Sequence, residues 1–276
     1  MSNKFLQGRV AMVTGGASGM GKAMAMAFAS AGADVAIGSL LAGAKKTEGE
    51  VVYLPGQGEL DAAKAAIEEH GVRCLAMGLD VTSDDSVQAF YDAAVAAFGK
   101  VDILANAAGI TAESTICGHS DAAWHRVIDV NLNGTYRAIK RALPGMMERG
   151  WGRVINIAST AASVGAVTSG AYSASKAGVV GLSRCVALEG APRGVTCNAI
   201  SPTWVDTSFG RDWMGGIAED QEHRTGDEYI ADVKAANPQG RLISPDEIGA
   251  LALFLCQENA RGLTMENLTI SAGSLW

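Results

Sequence analysis

The chain has 276 residues, 48% apolar and 18% charged, with 34 glycines and 6 prolines, which excludes a disordered chain and a fibre and leaves apolar content for a sizeable core. That length lies within the range of one α/β domain. The formal charge of −7, with no Lys/Arg-rich run, argues against nucleic acid and anionic membrane surfaces as partners.

Short runs rich in Val and Ile alternate with longer Ala-rich amphipathic stretches, the pattern of βα repeats around a parallel sheet. In chain order, strands are predicted over Arg9–Thr14, Asp34–Gly38, Val72–Leu79, Val101–Asn106, Arg153–Ala158, Val195–Ile200 and Asn267–Ser271. Helices are predicted over Gly19–Ala31, Leu60–His70, Asp84–Phe98, Asp121–Glu148, Ala171–Glu189 and Pro245–Cys256. Without an internal repeat or a linker, this order predicts one domain over residues 1–276, an α/β doubly wound Rossmann fold with a mainly parallel seven-stranded sheet. Two connections are longer than such units need. An extended loop is expected over 40–59, and a mobile substrate lid over about 203–240, where Trp204, Phe209 and Trp213 mix with charges.

Cys74, Cys117, Cys185, Cys197 and Cys256 show no paired spacing and read as reduced core thiols. The four histidines form no metal-ligand pattern, so no metal is expected. No stretch approaches the roughly 20 apolar residues of a membrane span, and the opening MSNKFLQGRVAMVTGG lacks a signal-peptide core, so a cytoplasmic location is expected.

The first strand runs into a glycine-rich turn, Thr14 to Gly21, at a strand-to-helix junction. Glycines there let the backbone approach a pyrophosphate, and the helix start offers free N–H donors and the positive end of its dipole. Gly15, Ser18, Gly19, Met20 and Gly21 are the candidate contacts. The span Gly16–Lys22 also fits GxxxxGK, but Ala23 stands where a phosphate loop needs Ser or Thr for magnesium, which disfavours a triphosphatase. Tyr172 and Lys176 are i and i+4 on a predicted helix, so they share a face. A free tyrosine has a pKa of about 10, and a nearby ammonium is expected to lower it, making Tyr172 usable as a general acid or base.

The turn Thr14–Gly21, the NAAG run Asn106–Gly109, Asn131 in VNLNG, Ser159, and YSASK from Tyr172 to Lys176 stand in order over nearly the whole chain. Together they resemble the short-chain dehydrogenase/reductase family. The resemblance implies an NAD(P)-dependent oxidoreductase that interconverts a secondary alcohol and a ketone, or an aldehyde and a primary alcohol. It makes Tyr172 the proton donor or acceptor and has Ser159 orient the substrate oxygen. Lys176 would bind the nicotinamide ribose and join a proton relay with Asn131. It adds Asn106, Ala107 and Gly109, Asp80 and Val81 near the adenine, and Val205 and Thr207 near the carboxamide as cofactor contacts. Thr203 replaces the Gly usual in the family's PGxxxT stretch. A homotetramer or homodimer is also implied. The alternative is a dinucleotide-binding scaffold without chemistry.

Dinucleotide choice rests on the end of the second strand, where an acid would accept from the ribose and select NAD. Ile37 to Leu40 holds no acid. Ser39, with Lys45 and Lys46 following, favours NADP, while the 40–59 loop leaves NAD open by folding over the adenosine half. Arg211, His223 and Arg224 in the lid are compatible with an acidic or polyhydroxylated small molecule.

Overall fold

The computed structural model describes residues 4–47 and 49–274; Glu48, inside the expected 40–59 loop, lies outside them. The described strands are β1 (Val10–Thr14), β2 (Asp34–Ser39), β3 (Glu50–Val51), β4 (Cys74–Gly78), β5 (Ile103–Asn106), β6 (Thr111–Ala112), β7 (Gly152–Ile157), β8 (Val195–Pro202) and β9 (Asn267–Ile270). Seven of them form one sheet in the order β4-β2-β1-β5-β7-β8-β9, and each neighbouring pair is parallel. Every residue of β1, β7 and β8 is buried. Helices on both faces explain why these strands read as continuous apolar runs rather than alternating ones.

The helices are α1 (Gly19–Ser30), α2 (Gln57–Glu68), α3 (Asp84–Phe98), α4 (Asp121–Ile128), α5 (Gly134–Glu148), α6 (Ala161–Val164), α7 (Gly170–Gly190), α8 (Ser208–Glu222), α9 (Gly226–Ala236) and α10 (Pro245–Leu255). Phe28 of α1, Leu60 of α2 and Ile248 of α10 pack with Ile37 and Ile155 in one core layer. Phe90 of α3, Ile139 and Met146 of α5 and Val186 of α7 pack with Leu104 and Val154 in the opposite layer. Two apolar layers separated by a parallel sheet make the doubly wound arrangement.

Several expectations need correction. The single helix expected over Asp121–Glu148 is interrupted by a π-helical stretch at Asp129–Asn133, which carries Asn131. The expected lid folds into α8 and α9, with Thr207 capping α8 through the Gly210 N–H at 2.9 Å and a Thr225/Glu228 capping box starting α9. The long loop is not structureless: Glu50 and Val51 pair antiparallel with Ala112 and Thr111, and α2 begins at Gln57, where Glu59 accepts from the Gly56 N–H at 2.9 Å. Cys74, Cys197 and Cys256 are buried, but Cys117, in the segment before α4, and Cys185, on the outward side of α7, are exposed and are not core thiols. Thr203 adopts an ordinary backbone outside the left-handed region, so the Gly it replaces is not required there.

Candidate active site

Ligands of open α/β sheets bind beyond the carboxyl ends of the strands, and here a cleft opens where β1, β2 and β5 end. The Thr14 hydroxyl accepts from the Ala107 and Ala108 N–H groups at 3.2 and 3.3 Å, which ties the glycine-rich turn to the segment after β5. At Gly15 a Cβ would lie 2.9 Å from the Ala108 nitrogen, and at Gly21 only 2.1 Å from the Gly15 carbonyl oxygen. Both positions exclude side chains. Ser18 makes no side-chain cap, so the first-turn N–H groups of α1 are left for a ligand. This glycine cradle at an uncapped helix start fits the pyrophosphate of a dinucleotide.

Gly15, Ser18, Gly19, Met20 and Gly21 line the cleft. So do Ser39, Asp80, Val81, Ala107, Gly109, Lys176 and Thr207. Two expected contacts lie elsewhere. Asn106 is buried beneath the cleft, where its amide donates to Asn156 at 2.8 Å, and Val205 bridges to Ile243 and lines a neighbouring cavity instead.

At the adenosine end, Ser39 is buried and its hydroxyl accepts from the Ala17 N–H at 3.0 Å. Lys45 and Lys46 are exposed and do not line the cleft; the Lys46 ammonium donates to the Val52 carbonyl at 3.2 Å. Val52, Tyr53, Leu54 and Pro55 line it, so the long β2–α2 connection forms part of the cleft wall. Arg126 also lines it, held by Glu50 at 3.5 Å and Thr82 at 3.3 Å. No sequence signal singled it out, because its carboxylate partner arrives from that connection.

Tyr172 and Lys176 occupy one buried face of α7. The Lys176 nitrogen lies 5.6 Å from the Tyr172 ring centre and donates to the Ile157 carbonyl at 2.8 Å. Burial pushes Tyr172 up to about 12; a hydrogen bond with Ser159 acts the other way, and the negative charge of Glu113 adds to the rise. Burial likewise brings Lys176 down to about 8. The expected lowering by a neighbouring ammonium is thus not what sets Tyr172: desolvation of the phenol leads, and only the Ser159 hydrogen bond acts against it. The Asn131 side chain accepts from the Ile110 N–H at 2.9 Å and donates to the Ile110 carbonyl at 3.0 Å and to Ser175 at 2.9 Å. A Cβ at Gly109 would stand 3.4 Å from the Asn131 oxygen and 3.5 Å from the Lys176 nitrogen, so glycine permits that approach.

A second cavity adjoins the first; Met20, Tyr172, Thr207 and Phe209 line both. Ser159 lines only the second. Its hydroxyl accepts from the Ala161 N–H at 3.1 Å. Trp213 of α8 packs edge-on against Tyr172 at 4.8 Å and against Trp204 at 4.9 Å. The Trp213 indole donates to Glu113 at 2.9 Å, and Glu113 also receives Thr111 at 3.1 Å and Ser169 at 2.9 Å, with Thr168 on its other oxygen at 2.6 Å. Sequence reasoning missed Glu113, whose partners lie on three separate segments. The lid cations do not line the cavity: Arg211 pairs with Asp206, Arg224 pairs with Asp232, and His223 ends α8.

A family model described as enoyl-(acyl carrier protein) reductase matches residues 15–274. The chain is 36% identical over 265 residues to D-beta-hydroxybutyrate dehydrogenase from Cupriavidus necator, covering 93% of this chain and 94% of that protein. Among solved structures, a variant of actinorhodin polyketide ketoreductase with NADPH superposes with a TM-score of 0.87 at 32% identity, covering 96% of each chain. NAD+-bound xylitol dehydrogenase gives 0.86 at 27% identity, covering 98% of this chain and all of that one, 100%. With a full-length match to reductases and dehydrogenases added to a dinucleotide cradle that meets a second cavity at Tyr172, this chain belongs to the short-chain dehydrogenase/reductase family and is an NAD(P)-dependent oxidoreductase acting on CH–OH groups.

Proposed function

We propose that the chain interconverts a secondary alcohol and its ketone, with Tyr172 as the proton donor and acceptor and NADP(H) as the preferred dinucleotide. One observation carries the reading: Tyr172 stands at the junction of the two cavities, between Lys176 on the dinucleotide side and Ser159 on the other. A bound nicotinamide supplies or takes the hydride. Ser159 donates to the substrate oxygen and holds it beside the Tyr172 hydroxyl. Burial keeps Tyr172 protonated at neutral pH, so in reduction the phenol is ready to give its proton to the carbonyl oxygen. In oxidation the same group takes the proton back, and the Lys176 amine, brought down to about 8, can exchange it. Asn131 contributes by fixing the backbone at Ile110 and anchoring Ser175 beside this pair.

NADP(H) is favoured because the end of β2 offers Ser39 and Leu40 and no carboxylate to repel a 2′-phosphate. Lys45 and Lys46 lie outside the lining, so the preference rests on Ser39. Cytoplasmic location and a homo-oligomer belong to the same proposal; the exposed Tyr136, Leu188 and Phe254 on α5, α7 and α10 support the second.

Tyr172→Phe removes one oxygen and leaves the packing against Trp213. Ketone reduction by the variant is expected to fall by about 100- to 10,000-fold, with the dissociation constant for NADPH unchanged within about twofold. Turnover retained within tenfold of the native enzyme would overturn the role.

A further inference from the structure

We infer that the alcohol or ketone accepted at this site is neutral and mostly apolar, with a ring or comparable bulk, and that carboxylates are excluded. The inference rests on the reaction proposed above and concerns the second cavity, of about 1630 Å³ with its open side included. Its far walls come from Val164 and Val167 after β7, Trp204 and Trp213, and Tyr229 and Val233 of α9. Among the described residues no Asp, Glu, Lys, Arg or His lines it. A carboxylate carried there would meet no cation in the wall to compensate the hydration it gives up. The negative charge felt by Tyr172 comes from Glu113, directly behind the wall, which adds repulsion.

Part of the polar lining is engaged within the protein, while the buried Thr203 hydroxyl has no partner among the described residues. Thr168 and Ser169 give their hydroxyl protons to Glu113. The Asn237 amide donates to the Ser271 carbonyl at 3.3 Å and its oxygen accepts from the Gln239 N–H at 2.9 Å. Thr207 receives the Gly210 N–H that starts α8. The cavity's aromatic edges and valine methyls suit an alicyclic or aromatic ring. Specificity is thus set by an uncharged wall of aromatic and valine surface, with Ser159 and Tyr172 as the polar pair aimed at the reacting oxygen.

The test compares 4-ethylcyclohexanone, 4-oxocyclohexanecarboxylate and dihydroxyacetone in NADPH- and NADH-dependent reduction. The first two differ only in replacing an ethyl group by a carboxylate. Expected is a kcat/KM for the ethyl ketone at least 100-fold above both others, and a roughly tenfold narrowing against the carboxylate in Val233→Arg, which places a cation in the wall. Equal or better turnover of the carboxylate or the open-chain ketone by the native enzyme overturns the inference and leaves the proposed reaction standing. Turnover of none of the three, while both dinucleotides bind, overturns the inference and the reaction together.

Discussion

Lys176 is buried, and its amine donates to the Ile157 backbone carbonyl. Its pKa of about 8 lies below the ordinary value of about 10.4, so between those pH values the unfolded chain holds a proton that the folded chain does not. The lysine's contribution to stability then rises as the pH rises through that window. Tyr172, raised to about 12, works in the opposite sense above its ordinary value of about 10: the folded chain keeps a proton that the unfolded chain releases, and stability falls from there to pH 12. The window from pH 8 to 10 is shared with the buried thiols of Cys74, Cys197 and Cys256, which desolvation pushes up to about 12 and which therefore lower stability there as the lysine raises it. Urea unfolding midpoints are expected to fall less steeply across it in the native protein than in Lys176→Met, the difference being the lysine's share of roughly 3 kcal/mol at most. An unchanged slope in the variant would show that Lys176 titrates normally. At this scale the sequence was informative where residues are close in the chain, as for the i, i+4 pair. It was misleading for the Tyr172 pKa, because burial comes from the whole fold.

Glu113 shows what a single buried-edge carboxylate does for elements. It joins β6, the segment before α7, and α8, through partners 2, 55, 56 and 100 residues away. Through Trp213 it also fixes the edge-on contact that α8 makes with Tyr172. Glu113→Ala would leave the Trp213 indole N–H and the Ser169 hydroxyl without their acceptor. Hydrogen bonds to a charged group contribute more than neutral ones, so a loss of about 2 to 3 kcal/mol is expected in urea unfolding, together with a rise in substrate KM as α8 loosens. A stability loss below about 0.5 kcal/mol would mean that α8 is held by its apolar contacts alone. The elements themselves divide by the same logic of distance. Apolar runs and cap residues are local signals, and the seven strands, α1 and α10 followed from them. The π-helical stretch at Asp129–Asn133 could not, since a helical period runs through it unbroken and the extra residue is fixed by Asn131 reaching across to Ile110. The pairing of β3 with β6 joins segments about 60 residues apart and leaves no periodic trace in two-residue strands.

For the whole molecule, the dinucleotide cleft is assembled from the start of α1, the ends of β1, β2 and β5, and the β2–α2 connection, so a ligand there touches much of the α1 side of the sheet. Binding to the folded chain alone stabilises it by RT ln(1 + [L]/Kd), about 2.7 kcal/mol at one hundred times Kd. A chain of this length loses order on melting with an entropy near 0.6 kcal/mol per degree, which converts that stabilisation into a Tm rise of about 5 °C. If Ser39 reads a 2′-phosphate, NADPH must give a larger rise than NADH at equal concentration. Ser39→Asp, which restores an acid at the end of β2, should reverse that order. Tyr172→Phe should keep the full rise, because the phenol oxygen is used on the substrate. Gly21→Ala should lose it for both dinucleotides, since the added Cβ meets the Gly15 carbonyl at 2.1 Å and forces the turn open. Differential scanning fluorimetry on the four proteins separates these terms. Equal shifts with NADPH and NADH would remove Ser39 as the discriminating residue, and a rise that survives in Gly21→Ala would move the dinucleotide away from the glycine-rich turn.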